Sequence, residues 1–349
     1  MASGYLVLED GSVFKGSVPE GSPDVYGEVV FETGMGGHLE AVTDPAAAGT
    51  IVVASFPLVG NAGAKDGFMV SDRVHASGLV AREVCRSPSD MYGGEPLGDY
   101  MVAAGVPCIS GIDTRDVVAT LRDKGTMMGA IVSDPSKAAP LLRKGRPKGL
   151  VAKISHKKVA DLGGKGPKVA VIDCGSCKGL YEELLARFNV IRFPYDAKAR
   201  EIIDSGAAGA VFTDGPGDPH ELKGKTVETA SDLIDAMPCM GISLGAQVMA
   251  LARGGEVFRM KTGHRGCNQP VRHGGRIHMT FQSHGYGITE GSVEGATYDH
   301  INVNDGSVEG FSLGGIGSFA VLYRPQSRPG PTDTEFLFDV FAKSVGGRP

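Results

Sequence analysis

The sequence predicts an α/β protein in two parts: a mixed, strand-rich first domain and a doubly wound second domain. Three observations predict this. Residues 1–148 hold several β-branched runs but few helical patterns. A stretch rich in Gly, Pro and Lys then interrupts them, with Lys144-Gly145-Arg146-Pro147-Lys148-Gly149 at one end and Gly163-Gly164-Lys165-Gly166-Pro167 at the other. Beyond it strands and helices alternate, as in a parallel sheet covered on both faces. The predicted boundaries are a domain over 1–148, a linker over 149–166 and a domain over 167–349.

In the first domain, Tyr5-Leu6-Val7-Leu8 and Val13-Phe14 flank Glu9-Asp10-Gly11-Ser12. Asp-Gly between apolar runs is a strong hairpin signal. Gly27 to Thr33 and Ile51 to Pro57 read as strands, the second one buried because of its β-branched run. Val74 to Glu83 reads as a further strand, Leu97 to Ala104 as a helix and Cys108 to Ile112 as extended chain. Thr114 to Lys124 is expected to be helical, with Thr114 as its N-cap and Gly125 as its stop. A helix-like Pro135 to Leu142 follows.

In the second domain, Lys168 to Asp173, Val190 to Phe193, Gly209 to Thr213 and Cys239 to Ile242 read as strands. Helices are expected over Gly179 to Phe188, Ala197 to Ser205 and Thr226 to Met237. Strand-rich segments follow around Arg276 to Phe281, Phe311 and Ser318 to Leu322, and Phe336 to Ser344 is a closing amphipathic helix.

Composition narrows the function classes. A net charge of −5 without a basic block argues against a general nucleic-acid binder. No apolar run reaches the ~20 residues of a membrane span, and Met1-Ala2-Ser3-Gly4 opens no basic region followed by a long apolar run, so no signal peptide is expected. The six cysteines form no closely spaced framework, so reduced thiols and a cytoplasmic location are expected. Cys174 and Cys177 form a lone C-x-x-C, read as structural thiols, and no metal site is expected. His264 and His300 read as ordinary surface or loop histidines.

The most informative stretch is Met240-Gly241-Ile242-Ser243-Leu244-Gly245-Ala246-Gln247. An apolar run enters it, and Val248-Met249-Ala250-Leu251-Ala252 leaves it as a helix. Strand, Gly-flanked turn and helix make a nucleophile elbow with Ser243 at the apex. Such a strained turn is usually built to present a reacting atom. Serine needs an adjacent base, and the chain does not obviously supply one.

Taken over nearly its whole length, the sequence resembles the small, glutamine-amidotransferase subunit of carbamoyl-phosphate synthetase. In the first domain the likeness lies in Leu6 to Gly11, Gly27 to Phe31, Thr43-Asp44-Pro45, Gly60-Asn61 and Ile112 to Arg115. In the second it lies in Asp214-Gly215-Pro216-Gly217-Asp218-Pro219, the elbow, Asn268 to Val271, Ser283-His284-Gly285-Tyr286 and Pro329-Gly330-Pro331. The resemblance implies a class I glutamine amidotransferase second domain. In that family an elbow cysteine attacks the glutamine side-chain amide, a late histidine moves the proton, and a glutamate two residues on orients the histidine. The ammonia released passes to a large subunit, which would handle ATP, Mg and bicarbonate. No cofactor is implied for this chain.

By that resemblance the catalytic positions are Ser243, Arg324 and Gln326, none of which keeps the family's residue. Ala246, Ala46 and Ser283 likewise replace a histidine, a serine and an asparagine. Gly215 and Gly217 align with the loop whose N–H groups make the oxyanion hole. Leu244, Gln247, Gly285 and Tyr286 align with substrate-contacting positions, and His284 with a residue that supports the site. A thiol ionises near pH 8.5, but a serine hydroxyl is a far weaker acid. An arginine cannot give up a proton at working pH. The expectation is therefore a small subunit without glutaminase activity that supports or regulates an ammonia-using large subunit, in an arginine or a pyrimidine pathway. Other readings remain open: a slow glutaminase using Ser243, a serine hydrolase of G-x-S-x-G type, or a module that binds glutamine, another small amino acid or an anion. No nucleic-acid or membrane partner is expected.

Overall fold

The computed structural model describes residues 1–89, 91, 93–326 and 330–346. The chain divides into two compact units, Met1–Pro147 and Lys148–Pro349. No helix among the described residues is long and apolar enough to cross a membrane.

The first unit is built on β1 (Ala2–Leu8), β2 (Val13–Val18), β3 (Val25–Glu32), β4 (Thr50–Ala54), β5 (Leu58–Val59), β6 (Gly78–Val80), β7 (Glu83–Val84), β8 (Cys108–Ile109) and β9 (Met127–Val132). Its helices are α1 (His38–Thr43), α2 (Leu97–Ala103), α3 (Thr114–Lys124) and α4 (Ala138–Leu142). The β1–β2 hairpin turns where Asp10 accepts the Ser12 N–H at 2.9 Å and Gly11 takes a positive φ of 89°. Seven strands form one sheet in the order β2-β1-β9-β3-β4-β6-β8. Ser17 and Ser110 then exchange backbone hydrogen bonds of 2.8 and 2.9 Å, which joins the two ends of that order.

Two expectations for this unit change. The segment read as one strand from Val74 to Glu83 is two, β6 in the large sheet and β7 paired with β5. The N-cap of α3 is Asp113, not Thr114: its carboxylate accepts from the N–H groups of Arg115 and Asp116. A carboxylate one residue earlier reaches both N–H groups, while Thr114 is buried.

The second unit begins with α5 (Leu150–Ile154) and β10 (Ala160–Gly164). These residues were expected to be linker, but β10 pairs antiparallel with β12. Gly163 and Gly164, read as chain-breaking, take positive φ at a register shift in that pairing. Then come β11 (Lys168–Asp173), α6 (Lys178–Arg187), β12 (Asn189–Pro194), α7 (Ala199–Asp204), β13 (Gly209–Phe212), α8 (Thr226–Ala236), β14 (Cys239–Ile242) and α9 (Leu244–Ala252). The chain ends with β15 (Val257–His273), β16 (Arg276–Ile288), β17 (Ala296–Asn302), β18 (Val308–Leu313), β19 (Phe319–Val321) and α10 (Phe336–Ser344).

These strands make one ten-stranded sheet, β10-β12-β11-β13-β14-β19-β18-β17-β15-β16. Its parallel centre, β12 to β19, is buried on both faces. Ala170, Ile172 and Phe212 point to one side, with Leu233 and Met249; Val169, Val171 and Val211 point to the other, with Leu184, Phe338 and Phe341. Strands buried on both sides read as continuous apolar runs, which is why they were legible. In such a sheet, sites form outside the carboxyl ends of the strands.

Candidate functional site

Three neighbouring parallel strands, β13, β14 and β19, carry Asp214, Ser243 and Arg324 just past their carboxyl ends. Ser243 has φ 51° and ψ −107°, and among the described residues no other non-glycine has positive φ. Its N–H donates to Val321 O at 2.8 Å, and its carbonyl accepts from Ala246 and Gln247 at 3.0 and 3.2 Å, opening α9. The flanking glycines are required by contact. A Cβ on Gly245 would lie 2.0 Å from Phe212 O, and one on Gly241 would lie 2.7 Å from Met249 Sδ. The elbow read from the sequence is thus a sterically forced turn. Ser243 is 2% exposed, and among the described residues its hydroxyl makes no hydrogen bond to an imidazole or carboxylate.

Arg324 does not face solvent. Its Nε lies 2.8 Å from Asp214 Oδ2, and both side chains are buried. The guanidinium sits over the Phe281 ring at 5.3 Å, and the Arg324 N–H donates to Phe281 O at 3.0 Å. Gln326 is also buried, and its amide donates to Cys177 Sγ at 3.3 Å. Ala246 is fully buried under the elbow, in the core that holds Phe212.

The other expected positions are partly brought together. Gly215 packs against the elbow: a Cβ there would lie 2.9 Å from Leu244 Cδ2 and 2.3 Å from Cys174 O. Gly217 is exposed and has φ 91°. Gln247 Nε2 donates to Tyr286 O at 3.0 Å, the same oxygen that His284 Nδ1 meets at 3.0 Å. Ser283 pairs with Arg265 across the β15–β16 hairpin, and Gly285 faces the Arg265 guanidinium. Ala46 belongs to the first unit, on a short 3₁₀ turn whose start Asp44 caps by accepting the Ala46 N–H at 2.9 Å. Pro329 of the Pro329-Gly330-Pro331 motif lies outside the described residues.

Two comparisons bear on this geometry. Residues 6–131 match the family model for the carbamoyl-phosphate synthase small chain, CPSase domain. Residues 170–344 match that for class-I glutamine amidotransferases. The carbamoyl phosphate synthase small chain of Caldanaerobacter subterraneus subsp. tengcongensis is 40% identical over 347 residues, covering 98% of this chain and 96% of that protein. The chain belongs to the carbamoyl-phosphate synthase small-chain family. Small chains of Bacillus caldolyticus and Clostridium perfringens are similar as well, at 38% and 37% identity over 96% and 97% of this chain. The second unit has the class I glutamine amidotransferase fold of this small-chain family and follows a strand-rich first domain in the sequence.

Behind the Tyr286 carbonyl lies a charged network that the sequence did not reveal. His264 Nδ1 is 2.8 Å from Glu309 Oε1, and its Nε2 is 3.0 Å from Asp305 Oδ2. His284 Nε2 stands 3.6 Å from Glu309 Oε2, and Asn302 Nδ2 donates to Glu309 Oε1 at 3.1 Å. Burial would push Glu309 up, but hydrogen bonds from His264 and His284 outweigh it and bring the carboxyl down to about 2. Burial would push His264 down, but Glu309 and Asp305 outweigh it and raise it. His264 is therefore buried and paired, not a surface histidine. His300 is buried too, stacked on His273 at 3.8 Å, bonded to Tyr323 and lowered to about 3 by burial. Nothing in the local sequence marks Glu309 as the carboxylate that holds two imidazoles, since it sits inside the apolar strand β18.

Among the described residues, two groups have donor atoms of the kind that zinc takes: His264, His284 and Glu309; and His273, Asp299 and His300. In the first, hydrogen bonds between the imidazoles and the carboxylates already account for the arrangement. In the second, the two rings lie parallel within 2°, so their in-plane lone pairs do not converge on one point.

Proposed function

We propose that this chain is the small subunit of a carbamoyl-phosphate synthase, that it does not hydrolyse glutamine, and that it supports or regulates a large subunit that uses free ammonia. One observation carries the reading. Arg324, at the position where the family places its proton-moving histidine, is held in a buried ion pair with Asp214 beside the elbow. A guanidinium neither accepts nor returns a proton at working pH, and its partner carboxylate is occupied by the pair. Ser243 supplies a hydroxyl where a thiol would ionise readily, and Gln326 supplies a neutral amide where a carboxylate would orient the base. Loss of such a trio costs catalysis ~10⁴-fold or more. ATP, Mg and bicarbonate would be handled by the large subunit.

The test is glutamate release from glutamine by the purified chain, alone and with its large subunit. The expected rate is at background and is unchanged in Ser243→Ala. A rate lost on Ser243→Ala would establish the slow-glutaminase alternative and end this reading. Labelling of Ser243 by a fluorophosphonate would instead favour a serine hydrolase. Stabilisation of the chain by glutamine, ornithine or phosphate would favour a binding module. In the same preparation, ammonia-dependent carbamoyl-phosphate formation by the large subunit should rise when the chain is added.

A further inference from the structure

The hydrogen bonds that hold His264, His284 and Glu309 together leave one atom out. Glu309 is fully buried, and its Oε2 has no hydrogen-bond partner among the described residues. His284 Nε2 faces it at 3.6 Å, beyond ordinary hydrogen-bond reach. A buried carboxylate oxygen in that position costs stability unless a cation sits beside it.

The outer partners of the two rings fix where their protons are. The Tyr286 carbonyl only accepts, so His284 Nδ1, 3.0 Å away, carries a proton and donates it. The Asp305 carboxylate likewise accepts from His264 Nε2 at 3.0 Å. Each neutral ring then turns its remaining lone pair inward: His264 Nδ1 lies 2.8 Å from Glu309 Oε1, and His284 Nε2 faces Glu309 Oε2. A further oxygen points the same way. Gln282 Nε2 donates to Thr280 Oγ1 at 3.1 Å, which leaves Gln282 Oε1 3.2 Å from His284 Nε2. Lone pairs that face one another out of water repel unless a proton or a metal ion lies among them.

The arrangement suits a metal ion. Imidazoles whose outer N–H is fixed by a carbonyl or a carboxylate are the usual form of metal-bound histidine. His264 Nδ1, His284 Nε2 and a Glu309 oxygen can all lie within 4.8 Å of one another. The two rings stand at 81°, unlike the parallel His273–His300 pair, so their in-plane lone pairs are free to meet at one point. Charge closes as well, because Glu309 and Asp305 together balance one dication with both rings neutral. Asp305, whose side chain is 46% exposed, links the cluster to solvent.

We infer that His264, His284 and Glu309, with Gln282 Oε1 beside them, form a structural site for a divalent transition-metal ion of the zinc class. Two imidazoles and a carboxylate are donors that zinc, nickel and cobalt take, while calcium and magnesium prefer oxygen alone. The ligands come from β15, β16 and β18. The ion therefore ties three strands together behind the Tyr286 carbonyl, to which Gln247 also donates. The site is independent of whether the chain hydrolyses glutamine.

Zinc chloride added to the intact chain, after a chelator has stripped it of metal, tests this. Calorimetry should count one zinc per chain, and a saturating excess should raise the melting temperature by a few degrees. X-ray absorption at the zinc edge should show nitrogen and oxygen neighbours and no sulfur. Glu309→Gln and, separately, His284→Asn should each weaken binding about tenfold or more. Cys267→Ser, which removes an exposed thiol three residues beyond His264, and His273→Asn should leave it unchanged. Circular dichroism checks that the variants fold; if neither ligand variant does, the zinc count, the edge spectrum and the Cys267 and His273 variants decide. Absence of binding, sulfur in the spectrum, loss of binding in Cys267→Ser or His273→Asn, or wild-type affinity in both folded ligand variants would overturn the site.

Discussion

Arg324 and Asp214 meet at 2.8 Å with neither side chain in contact with solvent, at the carboxyl ends of β19 and β13. A buried pair of this kind contributes little relative to apolar residues of the same shape. Removing one member, however, leaves an uncompensated charge out of water. Arg324→Met alone should therefore destabilise the chain by about 3–5 kcal/mol. Arg324→Met with Asp214→Leu should recover most of that loss. Urea midpoints of the two variants decide it, and equal destabilisation of single and double variants would contradict the pairing.

On the proposed reading, the same pair sets what glutamine hydrolysis by this chain would need. Ser243→Cys alone leaves Arg324 in place of a base, so it should stay at background. On that reading, Ser243→Cys, Arg324→His and Gln326→Glu together supply a Cys-His-Glu trio on an elbow that is already formed, and glutamate release should rise well above that of any single variant. The comparison of single and triple variants is the measurement. Activity in Ser243→Cys alone would mean that a base other than residue 324 is available.

Ser243 holds φ 51° without a hydrogen bond from its hydroxyl to an imidazole or carboxylate among the described residues. Backbone strain of this kind costs about 1–3 kcal/mol, whereas glycine costs roughly 0.5–1 kcal/mol in added unfolded-state freedom. Ser243→Gly should therefore leave the melting temperature unchanged or raise it, while Ser243→Ala keeps the strain and should not raise it. A clear loss of stability in Ser243→Gly would show that the serine side chain has a structural partner.

How much of this was legible follows from what each signal depends on. The parallel strands were readable because burial on both faces makes continuous apolar runs, as in Val169 to Ile172. The elbow was readable because Gly241 and Gly245 flank an apex between an apolar run and a helical pattern, although the contact that demands Gly245 comes from Phe212 on the neighbouring strand β13. β9, six buried residues from Met127 to Val132, was missed because Met-Met-Gly-Ala carries no β-branched signal. β10 was missed because its glycines look like linker until Arg192 and Asn189 are seen paired to it. The positions of Ser243, Arg324 and Gln326 came from motif order, but the engagement of Arg324 with Asp214 did not. It joins residues 110 positions apart, and only the strand order 13-14-19 brings them together.

Glu309 and Glu32 give stability opposite slopes with pH. Glu309 falls from 4.5 to about 2 on folding, so its contribution is complete above pH 4.5 and is lost as pH drops towards 2. That contribution is on the order of 3 kcal/mol. Thermal melts between pH 7 and pH 3 should show the loss, and Glu309→Gln should be less stable at pH 7 with a flatter acid limb. A wild-type melting temperature that stays level down to pH 3 would remove the network from the account.

Glu32, in the first unit, moves the other way. It is buried at the end of β3, and burial raises its carboxyl to about 7, against the Gly34 N–H that it accepts at 2.8 Å and with help from Glu40. Below pH 4.5 both folded and unfolded chains carry the proton, so the group is neutral to stability. As pH rises from 4.5 towards 7, the unfolded chain ionises and the folded chain does not, so stability declines and then levels off. Glu32→Gln removes the ionisation and keeps an acceptor for Gly34. The variant should match wild type near pH 4 and exceed it at pH 8, by on the order of 3 kcal/mol at most. Stability curves at those two pH values separate the outcomes: a variant less stable than wild type at pH 8 would mean that the folded chain needs the Glu32 carboxylate in its charged form.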